Sequence, residues 1–253
     1  MTISTENSRC RLLVVKTDEE GEIARETASV LVAQGTQEVA RIIPVAISAR
    51  HVHLSRAHID ILFGKDHQLT PRKNLSQPGQ FACVERVTLV GPRNTMERVG
   101  IIGPERSKTQ VEISRTDEFS LGIDAPIRMS GDLIGSASLT LRGPAGEVSL
   151  TEGVIQSQRH IHMTPADAER YGVAHRDIVE VAIDSQGRDL TFGDVVVRVK
   201  DSYKLEMHVD TDEGNAADLQ RGDEGVLIRT EGTVRSLRKK TPGSPKDPIQ
   251  SNG

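Results

Sequence analysis

Arg50-His51-Val52-His53-Leu54-Ser55 returns later in the chain as Arg159-His160-Ile161-His162-Met163-Thr164. Both copies read Arg-His-aliphatic-His-aliphatic-hydroxyl. Successive side chains on a strand point to opposite faces, so His51 and His53 share a face and Val52 takes the other. The same holds for His160 and His162 around Ile161. Two imidazoles side by side on an extended segment can ligate one metal ion. A single such pair is equally well read as the polar face of a surface strand, but its repetition in one local context favours metal binding. That context is an apolar run before each pair (Ile42 to Ile47, and Val154 to Ile155) and a short amphipathic stretch after it, ending at Gly64 or Gly172. Ser55 and Thr164 stand where helix N-caps belong, and Pro165 follows at the first helical position, where its missing N–H costs nothing.

His208, in Glu206-Met207-His208-Val209-Asp210, is a fifth histidine on an extended stretch; its competing reading is a buried neutral histidine. His58, His67 and His175 read as solvated side chains. A catalytic zinc site commonly takes three protein ligands and keeps one position open. Five histidines therefore make two sites one ligand short, and a carboxylate is the natural sixth ligand. Glu112 is preferred because Thr109 to Ser114 alternates regularly, with Glu85 and Glu206 still open. Two such metals would polarise a carbonyl or phosphoryl oxygen. An anionic substrate also needs a cation, and Arg50, Arg106, Arg115 and Arg159 are candidates, since a guanidinium fork fits phosphate. The chain has no Gly-rich phosphate loop and no nucleophile elbow. Cys83 reads as part of an apolar strand. In a cupin a Glu follows His-x-His within a few residues, where this chain has Ala57 and His58, or Pro165 and Ala166. A metal-dependent amidohydrolase would need a long alternating βα pattern, which the middle of the chain lacks.

These groups must be positioned by a core of Val, Ile, Leu and Ala, because aromatics are only 2% of the 253 residues and Trp is absent. That length suits one large domain or two small ones. The formal charge of −4 gives no electrostatic case for nucleic acid. Two cysteines form no disulfide framework, which fits a reducing cytosol. No apolar run approaches a membrane span, and the N-terminus carries no signal-peptide pattern. The pattern predicts a short strand over Arg11 to Val15 and a helix over Asp18 to Gln34. Val45 to Leu54 reads as one strand, Ala57 to Phe63 as a helix, and residues 65–80 as an irregular connection. Roughly six short strands follow between the two histidine pairs: Arg86 to Val90, Met96 to Ile102, Thr109 to Ser114, Ile127 to Met129, Ser138 to Leu141 and Glu147 to Leu150. The second histidine strand begins near Val154 and leads to a helix over Pro165 to Tyr171. Strands over Asp177 to Ile183, Asp194 to Val199 and Lys204 to Val209, a helix over Asp212 to Leu219 and a strand over Gly225 to Arg229 complete the pattern. From about residue 230 the composition reads as disordered. Short strands with frequent turns suggest a closed barrel or a sandwich.

Several stretches, in order, resemble the phosphate propanoyltransferase family, the PduL-type phosphotransacylases. They are Ser48 to Ser55, Gln77-Pro78-Gly79-Gln80, Gln110 to Asp117, Ser130-Gly131-Asp132, Gln158 to Met163 and Glu206 to Glu213. The resemblance covers about residues 42–229. It implies a mainly β fold of two small antiparallel β-barrels capped by short α-helices, one built from 38–49 with 155–229 and the other from 50–154. Residues 1–37 would be a helical extension and 230–253 a tail. It implies interconversion of a short-chain acyl-CoA plus phosphate with acyl phosphate plus CoA, by direct attack of phosphate on the thioester. By position, His51, His53 and Glu112 would hold one zinc ion, with the CoA sulfur as a further ligand. His160, His162 and His208 would hold a second, which keeps sites for phosphate. Arg106 matches the family's phosphate-contacting arginine, and Lys73 and Asn215 fall where the family contacts CoA. A metal-dependent thioester or amide hydrolase and a cupin-like metal-binding protein are the competing readings. Many members work inside bacterial microcompartments, including those of propanediol degradation. The resemblance thus implies a bacterial cytoplasmic enzyme enclosed there, with residues 1–37 docking to shell or cargo proteins. The preferred acyl group (acetyl, propanoyl or lactoyl) and any homo-oligomer are left open by the pattern.

Overall fold

The computed structural model describes residues 41–228. The expected strand at Arg11 to Val15, the helix at Asp18 to Gln34, residue 229 and the tail from residue 230 lie outside the described residues. The elements run β1 (Ile42–Ile47), β2 (His51–His53), α1 (Arg56–Phe63), β3 (Pro71–Asn74), β4 (Phe81–Val90), β5 (Thr95–Gly103), β6 (Gln110–Ile113) and α2 (Arg115–Leu121). They continue with β7 (Ile127–Arg128), β8 (Ala137–Arg142), β9 (Glu147–Ser157), β10 (His160–Met163), α3 (Pro165–Tyr171), β11 (Ile178–Ile183), β12 (Leu190–Val199), β13 (Glu206–Val209), α4 (Thr211–Ala216) and β14 (Glu224–Ile228).

The strands close into two barrels. One is β11-β12-β10-β13-β1-β14. The other is β4-β5-β2-β6-β9-β8, closed by the pairing of β8 with β4, with β3 and β7 attached at its margins. Taken in these orders, the two rings have the same succession of pairings. β12 with β10 and β13 with β1 are parallel, as are β5 with β2 and β6 with β9; all other ring pairings are antiparallel. The mainly β, two-barrel architecture expected from the resemblance is therefore present, but the sheets are mixed rather than antiparallel throughout. The mixture follows from the chain path. β1 closes the barrel built from the C-terminal strands, and the whole of the other barrel lies between β1 and β10 in sequence. The duplicated sequence is thus a duplicated fold in which each histidine strand is entered from a strand of the opposite barrel.

That path corrects the reading of Val45 to Leu54 as one strand. β1 pairs with β13 and β14, whereas β2 pairs with β5 and β6, and the chain crosses between barrels over Ser48 to Arg50. β9 likewise continues as far as Ser157, where a separate short strand and a new strand near Val154 are expected from the sequence. The expected irregular connection over residues 65–80 contains β3, which is exposed along its length and pairs with the beginning of β4. α2 is absent from the sequence reading, although Ser114 and Asp117 form a reciprocal capping box and Gly122 closes the helix in the left-handed conformation.

Each barrel has its own apolar core. Val52 and Ile161, the residues between the paired histidines, are fully buried in these two cores. Alternation along the strand then sends both imidazoles of each pair to the opposite face. The helices that follow are capped by the side chains of Ser55, Ser114, Thr164 and Asp210. Among the described residues no helix is long and apolar enough to cross a membrane.

Candidate active site

The two histidine faces look into one cleft of about 430 Å³ lined by residues of both barrels. At the first site the Nε2 atoms of His51 and His53 are 3.2 Å apart. Glu112 places one carboxylate oxygen 3.7 Å from His51 Nε2 and the other 4.0 Å from His53 Nε2. Each histidine bonds through Nδ1 to a backbone carbonyl, His51 to Ala49 and His53 to Ile102. Those bonds hold the proton on Nδ1 and leave the Nε2 lone pairs directed at the common space. His160, His162 and His208 gather likewise, their candidate ligand atoms within 4.8 Å of one another. His160 Nδ1 donates to the carbonyl of Gln158 at 2.8 Å.

The third member of each cluster is set by strand register. Glu112 on β6 lies directly opposite His51, and His208 on β13 lies directly opposite His160. Behind each third member the same device recurs. Two residues later comes an N-cap, Ser114 or Asp210, and three further on its capping-box partner, Asp117 or Glu213. The arginine that precedes each histidine pair binds that partner. Arg50 meets both oxygens of Asp117, at 2.8 and 2.6 Å, and Arg159 forms an ion pair with Glu213, its Nε 2.9 Å from the carboxylate. The first turns of α2 and α4 also meet, where Thr116 N–H donates to Asp212 at 2.7 Å.

Electrostatics keep these groups in metal-binding form. Burial, then the neighbouring imidazole of His208, lowers His160 to about 4. Burial, then His160 and His208, lowers His162 to about 2, and burial with His51 takes His53 well below the ordinary value. Burial acts to raise Glu112, but His51, His53 and His160 outweigh it and bring the carboxyl to about 2. Neutral imidazoles with free lone pairs beside an ionised carboxylate are the forms that metals bind. His162 Nδ1 is buried without a hydrogen-bond partner among the described residues. Such an orphan in a polar cluster fits an absent ligand.

A family model described as phosphate propanoyltransferase matches residues 44–220. The phosphate propanoyltransferase of Thermotoga maritima is 54% identical over 179 residues, which cover 71% of this chain and 85% of the relative. That of Clostridioides difficile is 51% identical over 187 residues, covering 74% and 89%. That of Enterococcus faecalis is 45% identical over 214 residues, covering 85% and 99%. The chain belongs to the phosphate propanoyltransferase family. It is accordingly an acyltransferase.

In this family member the cleft brings together His51, His53, Glu112, His160, His162, His208 and Arg106. Arg106 is largely buried, its Nη1 donating to Ser130 Oγ at 3.2 Å. Arg198 on β12 is a residue the sequence reading passes over. It lies opposite His162 in register, lines the same cleft, and has no carboxylate partner among the described residues. Its only sequence signal is strand alternation opposite a histidine that is itself known only from the motif. Arg50 and Arg159, candidates for an anion on sequence, are instead committed to Asp117 and Glu213. Arg115 pairs with Glu118 at 2.6 Å. Lys73 on β3 and Asn215 on α4 are exposed and outside the residues that line the cleft. Glu85 bonds His67 at 3.0 Å, away from both triads. His58 meets Thr109 Oγ1 at 2.7 Å and His175 accepts from Val199 N–H at 3.1 Å, so all three histidines expected to be solvated have protein partners.

Proposed function

We propose that the chain interconverts a short-chain acyl-CoA plus inorganic phosphate with acyl phosphate plus CoA. The observation that carries this reading is the convergence on one cleft of two candidate ligand triads with Arg106 and Arg198. The nitrogen and carboxylate donors suit zinc, which would supply Lewis acidity to a phosphate or thioester oxygen and stabilise a leaving thiolate. His51, His53 and Glu112 would hold one ion, and His160, His162 and His208 the other. Arg106 and Arg198 would bind phosphate as planar N–H donors. Burial, and then Arg198, lower Arg106 against the pull of Glu112, so an incoming anion relieves like-charge crowding in the cleft. Ser130 holds one arm of Arg106 and fixes the direction of the others.

In the transfer a phosphate oxygen forms a bond to the thioester carbonyl carbon. The carbon–sulfur bond then breaks with its electron pair on sulfur, and the phosphate proton goes to the thiolate to give free CoA. A covalent acyl-enzyme on Cys83 is disfavoured, because that thiol is fully buried, lies outside the cleft lining and is pushed up to about 11 chiefly by burial. Lys73 and Asn215 are assigned to CoA at the exposed surface.

The test is free-thiol release from acetyl-CoA and propanoyl-CoA, with and without phosphate, on metal-analysed wild type and His160→Ala. Phosphate-dependent release that disappears in the variant supports the assignment. Equal release without phosphate overturns it in favour of a hydrolase. The same family reading assigns residues 1–37 to encapsulation in a bacterial microcompartment. Deleting them should preserve turnover and abolish co-purification with shells; loss of turnover would refute that role.

A further inference from the structure

The residue two positions before the third ligand differs between the two sites. It is Gln110 before Glu112 and Glu206 before His208. The two are equivalent in register, Gln110 opposite His53 and Glu206 opposite His162. Each bonds its own ligand with the polarity that ligand requires. Gln110 Nε2 donates to the Glu112 carboxylate. Glu206 Oε2 accepts from His208 Nε2 at 2.6 Å. A carboxylate can only accept, so the His208 proton sits on Nε2 and the lone pair is left on Nδ1.

We propose that Gln110 and Glu206 are the positioning residues of the two metal sites, and that Glu206 also ties the second site to a loop of the opposite barrel. That loop joins β3 to β4. It is closed on itself by Leu75 N–H to the Gln80 carbonyl at 3.0 Å and Gln80 N–H to the Gln77 carbonyl at 3.2 Å. Its Ser76 Oγ donates to Glu206 Oε2. The Gln77 side chain, 3% exposed, pairs with the backbone of Lys204 in both directions, donating to its carbonyl at 3.0 Å and accepting from its N–H at 3.2 Å. Gln110 is held in the same manner from the other side: it donates to Ser130 Oγ at 2.9 Å and accepts from Gly131 N–H at 2.8 Å. Ser130 is also the partner of Arg106. Each third ligand is thus held by a residue that a loop locks in place. At the second site that loop belongs to the other barrel, so retention of metal in one barrel depends on a loop of the other.

The inference rests on the triads holding metal, as proposed above, and its test needs neither phosphate nor CoA. Full-length protein would be loaded with Co²⁺ and titrated with a chelator, following metal per chain and the visible spectrum. The His160→Ala spectrum identifies the second-site component. Glu206→Ala should weaken that component about 10–100-fold, the range for loss of an outer partner of a ligating histidine, and leave the first-site component unchanged. Glu206→Gln keeps an acceptor oxygen and should recover most of the affinity. Ser76→Ala, on the exposed loop and outside both cores, should weaken the second site alone and by less. Undiminished second-site affinity in Glu206→Ala overturns the positioning role, undiminished affinity in Ser76→Ala overturns the tie to the loop, and equal weakening of both sites overturns the proposal as a whole. Wild type that binds no Co²⁺ at either triad overturns the metal assignment itself, whatever the outcome of the thiol-release assay.

Discussion

The pairing of Arg50 with Asp117 permits a quantitative test of how the first site is held. Asp117 is nearly inaccessible, with 3% of its side chain exposed, and meets the Arg50 fork with both oxygens, accepting a hydrogen bond from Nε at 2.8 Å and lying 2.6 Å from Nη2. The other partner of its side chain is Ser114 N–H, at 3.2 Å, the bond it accepts as the capping-box residue. Arg50→Ala would leave this carboxylate buried with its main counter-charge gone. Breaking a fully buried pair costs about 3–5 kcal/mol. The Arg50 side chain is 44% exposed, so water screens it and roughly 2 kcal/mol is the expected coupling. The Arg159–Glu213 pair has a single contact at 2.9 Å and side chains 32% and 21% exposed. Its coupling should be nearer ~1 kcal/mol. The measurement is a pair of double-mutant cycles by urea unfolding, Arg50→Ala with Asp117→Ala and Arg159→Ala with Glu213→Ala, at fixed metal loading. Arg50→Ala alone should lower Tm by about 4–8 °C. A coupling below about 0.5 kcal/mol for the first pair, or a larger one for the second, would refute the reasoning from burial and bidentate geometry.

Three further outcomes are expected. Gly143→Ala would place a methyl carbon 2.3 Å from the Leu62 carbonyl at the end of α1, and should cost about 1–3 kcal/mol by chemical denaturation; a neutral result would mean that the turn is free to move. Burial acts to raise Glu85, but hydrogen bonds from its own and the Thr70 backbone, from the Thr70 side chain and from His67, bring it below the ordinary range. Its folded pKa is thus below the unfolded value of about 4.3, so its stabilisation is complete above that pH and is lost as pH falls through the folded pKa. The stability gap between wild type and Glu85→Gln should be constant near neutrality and shrink below about pH 4, and a gap that grows on acidification would contradict this. Stripping metal with a chelator should lower Tm and added zinc should restore it, with about 2.7 kcal/mol expected at a hundredfold excess over Kd; an unchanged Tm would argue against occupied triads.

Two kinds of information were legible in the sequence. One was local periodicity. Alternation put His51 with His53 and His160 with His162 on shared faces, because the strand repeat is a property of the backbone alone. Helix signals worked where cap and stop chemistry are local, as at Thr164-Pro165 and Gly172. The other was motif order, which pointed to the family and through it to Arg106, Glu112 and His208. Spacing alone could not choose Glu112 over Glu85 or Glu206. In the structure Glu85 bonds His67, and Glu206 bonds His208 rather than completing the His51 and His53 cluster.

What the tertiary structure decided is everything that depends on which strand lies beside which. Glu112 faces His51, and His208 faces His160, only because β2 meets β6 and β10 meets β13 in a given register. Residues far apart in sequence are brought together by barrel closure, which leaves no periodic trace. The break at Ser48 to Arg50 has the same origin: both flanking segments are good strands, and their membership of different barrels is a matter of partners. Arg50 and Arg159, alike in sequence to any phosphate-binding arginine, became clamps because Asp117 and Glu213 occupy the adjacent helix turns. Arg198 reached the cleft by lying opposite His162. The sequence by itself determined the donors and the faces they share. Pairing across the two closed sheets determined which donors meet, since hydrogen-bond register rather than chain separation fixes the distances between them.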